Sequence, residues 1–414
     1  MQTARGHTIA AALAGLVLLT LATTVPNVQF LDERNVGDTQ LYHTYGQNIR
    51  EGKLPYADFY MEYPPGAIPA FVAPTLGEDD RYASHSKWIQ WLLAAACVVL
   101  VAVAVAATGR GASSVYLATG AVALAPVALG RVTFTRFDFW PAALTALALA
   151  LLARRRHRSG GAALAVATAA KIYPVVLLPL ALGLAWRQGG RSKVRELLVV
   201  YAIVLAGIVL PFAVLGLGGV GHSLLEQLRR PLQVESLSSS VLLAAGQLGF
   251  YEPTVITSYG SQNLDGNLPA ALALLAALGG LLALGWIWLA FARGPAAPAD
   301  LLAAAAAAVL AFVVLGKVLS PQYLIWLVPL VPLVRGARGV AASALLGAAM
   351  VLTQLWFPSR YWELVAFDAL PSWLLLARDL TLLALLALLL WPVRTRGQVS
   401  QSSSAASMQD LTPH

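Results

Sequence analysis

The chain has 414 residues, of which 58% are hydrophobic and only 12% are charged. Soluble domains carry about 25% charged residues, so this composition excludes an ordinary soluble enzyme or binding module. The net charge is +8, but the basic residues stand in short loops, where they report membrane topology rather than binding to nucleic acid. The single cysteine, Cys97, excludes a disulfide within the chain and a cysteine cluster for zinc or iron–sulfur.

Apolar runs of the length that crosses a bilayer as a helix, about 17–25 residues, recur along most of the sequence. The first runs from about Thr8 to Phe30. It begins after a basic residue, as a signal peptide does, but its length and the helices that follow it predict an uncleaved span. The pattern predicts an all-α integral membrane protein, a multi-span bundle of about 12 helices. Such a protein is surrounded by membrane lipids.

A long polar loop follows at 31–85, with short helices predicted near 41–50 and 66–76. Asp38 stands at its start, at the expected membrane surface, where a carboxylate can take a proton from an alcohol. The alternative is an ordinary helix N-cap, for which Asp is well suited. Asp58 and Glu62 stand among tyrosines and can bind sugar hydroxyls, although tyrosines at this depth also anchor proteins at the interface.

Spans are predicted next at 86–107, 114–130 and 138–153. Arg136 and Asp138, in the stretch TFTRFDFWP, stand at the start of the third. They fit either an interfacial ion pair or a substrate contact, and the sequence leaves both open. The basic run 154–158 after this span marks a cytoplasmic loop.

The apolar stretch 161–187 has basic residues on both flanks, so a single crossing would put one cluster on the wrong side. Pro174 stops a helix and Lys171 is costly in hydrocarbon, so both suit a turn that faces a wet cavity. The stretch is therefore predicted to form a hairpin of two short helices with its tip inside the protein. Lys171 is a candidate for binding a phosphate headgroup, and the alternative is a lysine neutralised by one nearby acid.

A second polar loop, 218–267, follows a span at 196–217 and has amphipathic stretches near 222–230 and 237–250. Arg229 and Arg230 in this loop can grip a phosphate through bidentate hydrogen bonds. Lys317 and Gln322 flank a helix break on the same face. The remaining predicted spans are 268–292, 299–316, 321–335, 338–357 and 372–391.

The distribution of basic residues places both long loops on the extracytoplasmic side and both termini in the cytoplasm of a plasma-membrane protein. No linker separates a second unit, so residues 1–396 are predicted to form a single membrane domain. The Ser/Gln-rich segment 397–414 is predicted to be a disordered cytoplasmic tail.

Five motifs resemble those of actinobacterial membrane glycosyltransferases of the GT-C superfamily, and of glycosyltransferase family 87 in particular. They are GDTQLYHTYGQNIREGKLPYADFYMEYPP, RFDFWPAALTALAL, AAKIYPVVLLPL, RPLQVESLSSS and LSPQYLIWLVPL. Members of that family are mannosyltransferases that use a polyprenyl-phosphate-mannose donor. The resemblance covers nearly the whole chain and implies a GT-C type bundle.

The resemblance implies transfer of a sugar, mannose by this analogy, from a polyprenyl-phosphate carrier to a lipid or glycan acceptor outside the cytoplasm, with inversion. Asp38 occupies the place of the general base, and Asp58 is a rival because Asp38 has no acidic neighbour. No cofactor and no metal are implied, since a lipid phosphate leaves once its charge is stabilised. The alternative is a transporter or flippase of lipid-linked sugars, although the sequence lacks the internal repeat that such proteins commonly show.

The candidate substrate-binding residues are Tyr42, Tyr56, Glu62, Tyr63, Arg136, Asp138, Lys171, Tyr173, Arg229, Arg230, Glu235, Ser236, Lys317 and Gln322.

Overall fold

A computed structural model describes residues 2–32, 37–216 and 218–390, and the predicted tail at 397–414 lies outside these residues. The described chain is mainly helical, as predicted. Its α-helices are, in order, α1 (Gln2–Thr23), α2 (Thr39–Arg50), α3 (Ile68–Val72), α4 (Tyr82–Ala107), α5 (Ala112–Leu129), α6 (Val132–Thr135), α7 (Phe139–Ala153), α8 (His157–Ala170), α9 (Leu178–Leu215), α10 (Gly219–Arg229), α11 (Leu237–Gln247), α12 (Asn267–Arg293), α13 (Pro298–Val314), α14 (Leu324–Leu327), α15 (Gly336–Trp356), α16 (Tyr361–Val365) and α17 (Ala369–Leu390).

Within the described residues, seven helices are long and apolar enough to cross a membrane: α1, α4, α5, α9, α12, α15 and α17. Shorter apolar helices, among them α7 and α13, lie between them. The prediction of an all-α membrane bundle is confirmed. Helix α13 lies inside the bundle, where most of its side chains are buried against α7, α9, α12 and α17. Its alanine run explains this position, because small side chains let helices approach closely in a membrane.

The predicted span 321–335 is wrong as a single helix. The structure has a 3-10 turn at Pro321–Tyr323, the four-residue α14 and a second 3-10 turn at Val331–Leu333. The prolines in this segment lack the N–H that a continuous helix needs, so the chain cannot hold α-helical hydrogen bonding throughout.

The helix–turn–helix predicted at 161–187 is confirmed, but its tip is not wholly inside the protein, because Ile172 and Val175 in the turn remain exposed. Helix α8 ends at Ala170, a 3-10 turn covers Tyr173–Leu177, and the chain returns as the first part of α9. Helix α9 then breaks at Gly189 and Gly190, whose backbone angles are not helical, and its second part runs back through the membrane. The 14 residues of α8 span about 21 Å, which is shorter than a bilayer core of about 30 Å.

The first polar loop packs directly on this hairpin. A β-carbon on Gly66 would lie 2.5 Å from the carbonyl carbon of Ala169, so only glycine allows the loop to approach the end of α8 this closely. The indole N–H of Trp140 donates to the carbonyl of Gly66 over 2.8 Å and fixes the same contact from α7. The loop residues just before Gly66 therefore lie beside Lys171.

The second polar loop contains a small antiparallel sheet that the sequence did not predict. Strand β1 (Leu232–Gln233) pairs with β3 (Ser261–Leu264), which also pairs with β2 (Val255–Ser258). Tyr259 and Gly260 join β2 to β3 with φ of 53° and 66°. Positive φ at both central residues is the geometry of a two-residue hairpin turn.

Candidate active site

The two polar loops meet at one end of the bundle. The hydroxyl of Tyr60 donates to Oε2 of Glu226 over 2.8 Å, and the hydroxyl of Ser223 donates to the carbonyl of Glu62 over 3.0 Å. Both contacts join the first loop to α10 of the second loop. The candidate site lies where these loops cover the tip of the α8–α9 hairpin.

Asp38 lies at this junction and forms an ion pair with Arg136. It precedes α2, but its side chain does not cap that helix. The hydroxyl of Tyr42 donates to Oδ2 of Asp38 over 3.3 Å, and the Asp38 side chain remains 34% exposed. Gly37, with φ of 63°, lets Arg136 approach, because a β-carbon there would lie 2.9 Å from Nη2 of the arginine. The structure therefore places the first candidate base in an ion pair with one exposed side.

Lys171 forms the ion pair that the sequence left open as an alternative. Its ammonium lies 2.6 Å from Oδ1 of Asp138, a fully buried acid that also accepts the indole N–H of Trp326 over 2.6 Å. Aromatic rings surround the ammonium, which lies 4.6 Å from the centre of the Phe137 ring and 5.1 Å from that of Trp326. Tyr63 and Tyr323 complete this box at 5.6 Å each. Such rings attract a cation through their electron-rich faces.

Arg230 and Lys317 bring two positive charges near each other in the second loop and the segment after α13. Arg230 lies 3.8 Å from Glu62 and donates to the carbonyl of Tyr259 over 2.8 Å. Burial, together with the nearby charge of Arg230, lowers the pKa of Lys317. Burial raises the pKa of Glu62, and the nearby Arg230 only partly opposes this. Two cations held near each other favour an anion between them.

Glu235 lies inside the second loop and is almost completely buried, at 3% exposed. Burial raises the pKa of its carboxyl group to about 8. Gln233 donates to Oε2 over 2.5 Å, whereas the buried Oε1 makes no hydrogen bond. The charged and titratable side chains within electrostatic range of Glu235 include Asp38, Arg136, Tyr323, Tyr361, Arg378 and Asp379.

Arg378 and Asp379 were missed by the sequence analysis. They form a fully buried ion pair of 2.7 Å within α17, and Nη2 of Arg378 donates to the backbone carbonyl of Glu235 over 2.6 Å. The signal was present, because a charged pair inside the apolar run LLLARDLTLL is a functional candidate by default. The sequence gives no comparable signal for Trp326, which donates to Asp138, or for Tyr361, which lies within electrostatic range of Glu235.

Two sequence candidates lie apart from the charged cluster. Asp58 is exposed and accepts the backbone N–H of Leu54 over 2.7 Å, so its carboxylate stabilises its own loop. Arg229 is exposed, whereas its neighbour Arg230 reaches Glu62.

Four other candidates lie in the framework around the cluster. The hydroxyl of Tyr56 donates to the carbonyl of Tyr63. Tyr173 is fully buried and stacks on Trp326 with 4.2 Å between ring centres. Ser236 caps α11 by accepting the N–H of Ser239, and Gln322 is half-buried in the turn before α14.

In the described part of the chain, no group of three or more His, Cys, Asp or Glu side chains is arranged to hold a metal ion. The expectation that the protein needs no metal and no cofactor stays a prediction.

The fold and the site define a multi-span membrane protein whose two polar loops gather acids, cations and aromatic rings above a short hairpin. The family model of glycosyltransferase family 87 matches residues 60–321, more than half of the chain, and the protein belongs to that family. The resemblance to family 87 found in the motifs is confirmed, and the protein is a membrane glycosyltransferase. Asp38 precedes the matched residues.

Among solved structures, the chain is similar to that of ArnT from Cupriavidus metallidurans bound to undecaprenyl phosphate. The identity is 17%, the TM-score is 0.48, and the match covers 99% of this chain and 81% of that one. Comparison with curated proteins gives no match.

Proposed function

We propose that the protein transfers a sugar, mannose by its resemblance to family 87, from a polyprenyl-phosphate carrier to a lipid or glycan acceptor. The observation that carries this proposal is Asp38, a partly exposed carboxylate held by Arg136 where both loops meet. A general base must reach the proton that it removes, and the exposed side of Asp38 leaves room for an acceptor hydroxyl.

In the proposed reaction, the acceptor oxygen attacks the anomeric carbon of the sugar from the face opposite the phosphate. The new C–O bond forms as the bond between that carbon and the phosphate oxygen breaks, which inverts the configuration. Asp38 takes the hydroxyl proton, and the carrier leaves as polyprenyl phosphate. Preorganised positive charge near a leaving group lowers the barrier. In this proposal, Arg230 and Lys317, which lie near each other, supply that charge.

The proposed location is the plasma membrane, with the active site on the extracytoplasmic side and both termini in the cytoplasm. The basic run 154–158 follows α7 at the end of the helix away from Asp138. Basic loops of this kind stay in the cytoplasm, so the opposite ends of α7 and α8, beside Asp138 and Lys171, face outward. Membership of a transferase family speaks against the alternative of a transporter or flippase.

The test is Asp38→Asn in membranes supplied with labelled polyprenyl-phosphate mannose and membrane acceptors. Loss of the base is expected to reduce transfer by about 10²- to 10⁴-fold, because general-base catalysis contributes that much. Asp58→Asn is the matched control and is expected to keep transfer near the wild-type rate, since the Asp58 carboxylate is exposed and accepts a hydrogen bond within its own loop. If Asp38→Asn, at normal protein level, transfers sugar as fast as the wild type, Asp38 is not the base. If only Asp58→Asn loses activity, Asp58 is the base instead.

A further inference from the structure

Glu235 has a feature that no bond within the described protein explains. Its Oε1 is buried and makes no hydrogen bond, although Oε2 accepts from Gln233. A buried polar atom without a partner costs about 1–3 kcal/mol, so such atoms call for a ligand or a functional reason. The carboxyl group also lies within electrostatic range of Asp38 and Arg136.

The loop that carries Glu235 is fixed from two sides. Gln233 donates to the hydroxyl of Ser320 over 3.0 Å and accepts the backbone N–H of Leu319 over 2.9 Å, which ties the loop to the segment before α14. From the other side, Arg378 in α17 donates to the carbonyl of Glu235. The anchored amide of Gln233 also donates to Oε2 of Glu235. The backbone and the side chain of Glu235 are therefore both held, as a binding residue requires.

We propose that Glu235 is a substrate-contacting residue whose Oε1 hydrogen-bonds a hydroxyl of the transferred sugar, and that Arg378 is its positioning residue. This inference rests on the proposed function. The donor sugar is the fitting ligand because Glu235 is buried, whereas an acceptor approaches the exposed side of Asp38.

The chemistry of the carboxyl group suits a hydroxyl ligand. Burial raises the pKa of Glu235 to about 8, so the group carries its proton at neutral pH. A neutral carboxyl group can both donate to and accept from a sugar hydroxyl. It also avoids placing another negative charge beside a lipid phosphate.

The test measures binding of two lipids to the full chain in nanodiscs: polyprenyl phosphate and polyprenyl-phosphate mannose. Glu235→Ala is expected to bind the mannosylated lipid about 3- to 10-fold more weakly, which is the worth of one hydrogen bond, while its affinity for polyprenyl phosphate stays unchanged. Glu235→Gln, whose amide also donates and accepts, is expected to retain the affinity. Glu252→Ala, at an exposed glutamate of the same loop, is the control.

Arg378→Gln tests the positioning role. It is expected to lose the same sugar-dependent affinity as Glu235→Ala, and the double variant is expected to lose no more, because Arg378 acts through Glu235. An additive loss would overturn this role. If Arg378→Gln does not fold, Glu235→Ala still decides the sugar contact.

Four results would overturn the inference. Equal loss of affinity for both lipids in Glu235→Ala, or no loss for either, would show that Glu235 makes no contact with the sugar. Equal affinity of the wild-type protein for both lipids would leave Glu235 no sugar to hold. Wild-type protein that binds neither lipid would overturn the proposed donor and this inference with it. That result differs from the others, in which the donor binds but Glu235 does not contact its sugar.

Discussion

The ammonium of Lys171 and the carboxylate of Asp138 lie 2.6 Å apart inside the membrane domain, and Asp138 is fully buried. The pair joins the tip of the α8–α9 hairpin to the start of α7. A buried ion pair stabilises a protein little beyond the cost of its own desolvation, but removing one partner leaves an uncompensated charge. Lys171 therefore has a structural partner in addition to any contact with substrate.

Removing either member of this pair is expected to destabilise the protein strongly. Lys171→Met and Asp138→Asn should each lower the free energy of unfolding by about 3–5 kcal/mol, because the remaining charge stays buried without its partner. The double variant should recover part of that loss. The measurement is denaturant unfolding of purified protein in detergent.

The control for this experiment is Lys53→Met, which removes an exposed ion pair of 2.9 Å with Glu51. Exposed pairs are worth about 0–1 kcal/mol, so little change is expected. A double Lys171–Asp138 variant no more stable than its weaker parent would contradict the coupling of the buried pair.

The two adjacent arginines of the second loop are expected to differ in function. Arg230 reaches Glu62 and lies near Lys317, whereas Arg229 is exposed. Arg230→Ala should weaken binding of polyprenyl phosphate by about 10- to 100-fold, because a hydrogen bond to a charged group is worth about 1.5–3 kcal/mol. Arg229→Ala is the matched control. Equal effects of the two substitutions on the dissociation constant would refute the assignment of the phosphate to Arg230.

Stability should fall with rising pH because of Glu235. Its pKa is raised from 4.5 to about 8 in the folded protein, so between these values the folded state holds a proton that the unfolded state has released. The contribution of the protonated Glu235 to the free energy of unfolding is fully present below about pH 4.5 and is lost as the pH rises through about 8.

The measurement is the free energy of unfolding between pH 5 and 9 for the wild type and for Glu235→Gln. The difference between the two should change by at most about 1.4 kcal/mol per pH unit, the effect of one proton. The neighbouring charges, among them Arg378, Asp379, Arg136 and Asp38, are present in both proteins and largely cancel. Parallel curves would contradict the raised pKa.

Gly66→Ala is expected to push the first loop away from the hairpin. The added carbon would lie 2.5 Å from the backbone of Ala169, and overpacking of this kind costs about 1–3 kcal/mol. Since Tyr63 shares this loop and lines the Lys171 box, transfer should fall as well. Gly120→Ala, at a helical glycine with nothing within 4 Å of the added carbon, is the control and should be neutral or slightly stabilising. An undisturbed melting temperature in Gly66→Ala would argue against the close contact.

The helical framework could be predicted because membrane spans have a strong signal in length and hydropathy. The hairpin at Lys171 could also be predicted, since a proline and a lysine together forbid a continuous lipid-facing helix there. The small sheet was missed because its strands have two to four residues and its turn carries a tyrosine before the glycine. Short strands in a polar loop resemble any other loop in sequence.

The site could be predicted only as a set of candidates. Asp38 and Asp58 are both acids in one loop, and only the folded chain shows that one pairs with Arg136 while the other accepts from Leu54. Contacts such as that of Arg378 with Glu235 join residues about 140 positions apart, and no local spacing encodes them.

The turn between α8 and α9 exposes Ile172 and Val175 at 48% and 39%, although it lies at the end of a helix too short to cross the bilayer. Apolar side chains exposed at that depth contact lipid acyl chains rather than water. The isoprenoid tail of the proposed donor can therefore stay within one leaflet while its phosphate approaches the site from the side of the turn. Discrimination would then fall on the headgroup, and carriers of quite different tail length should serve alike.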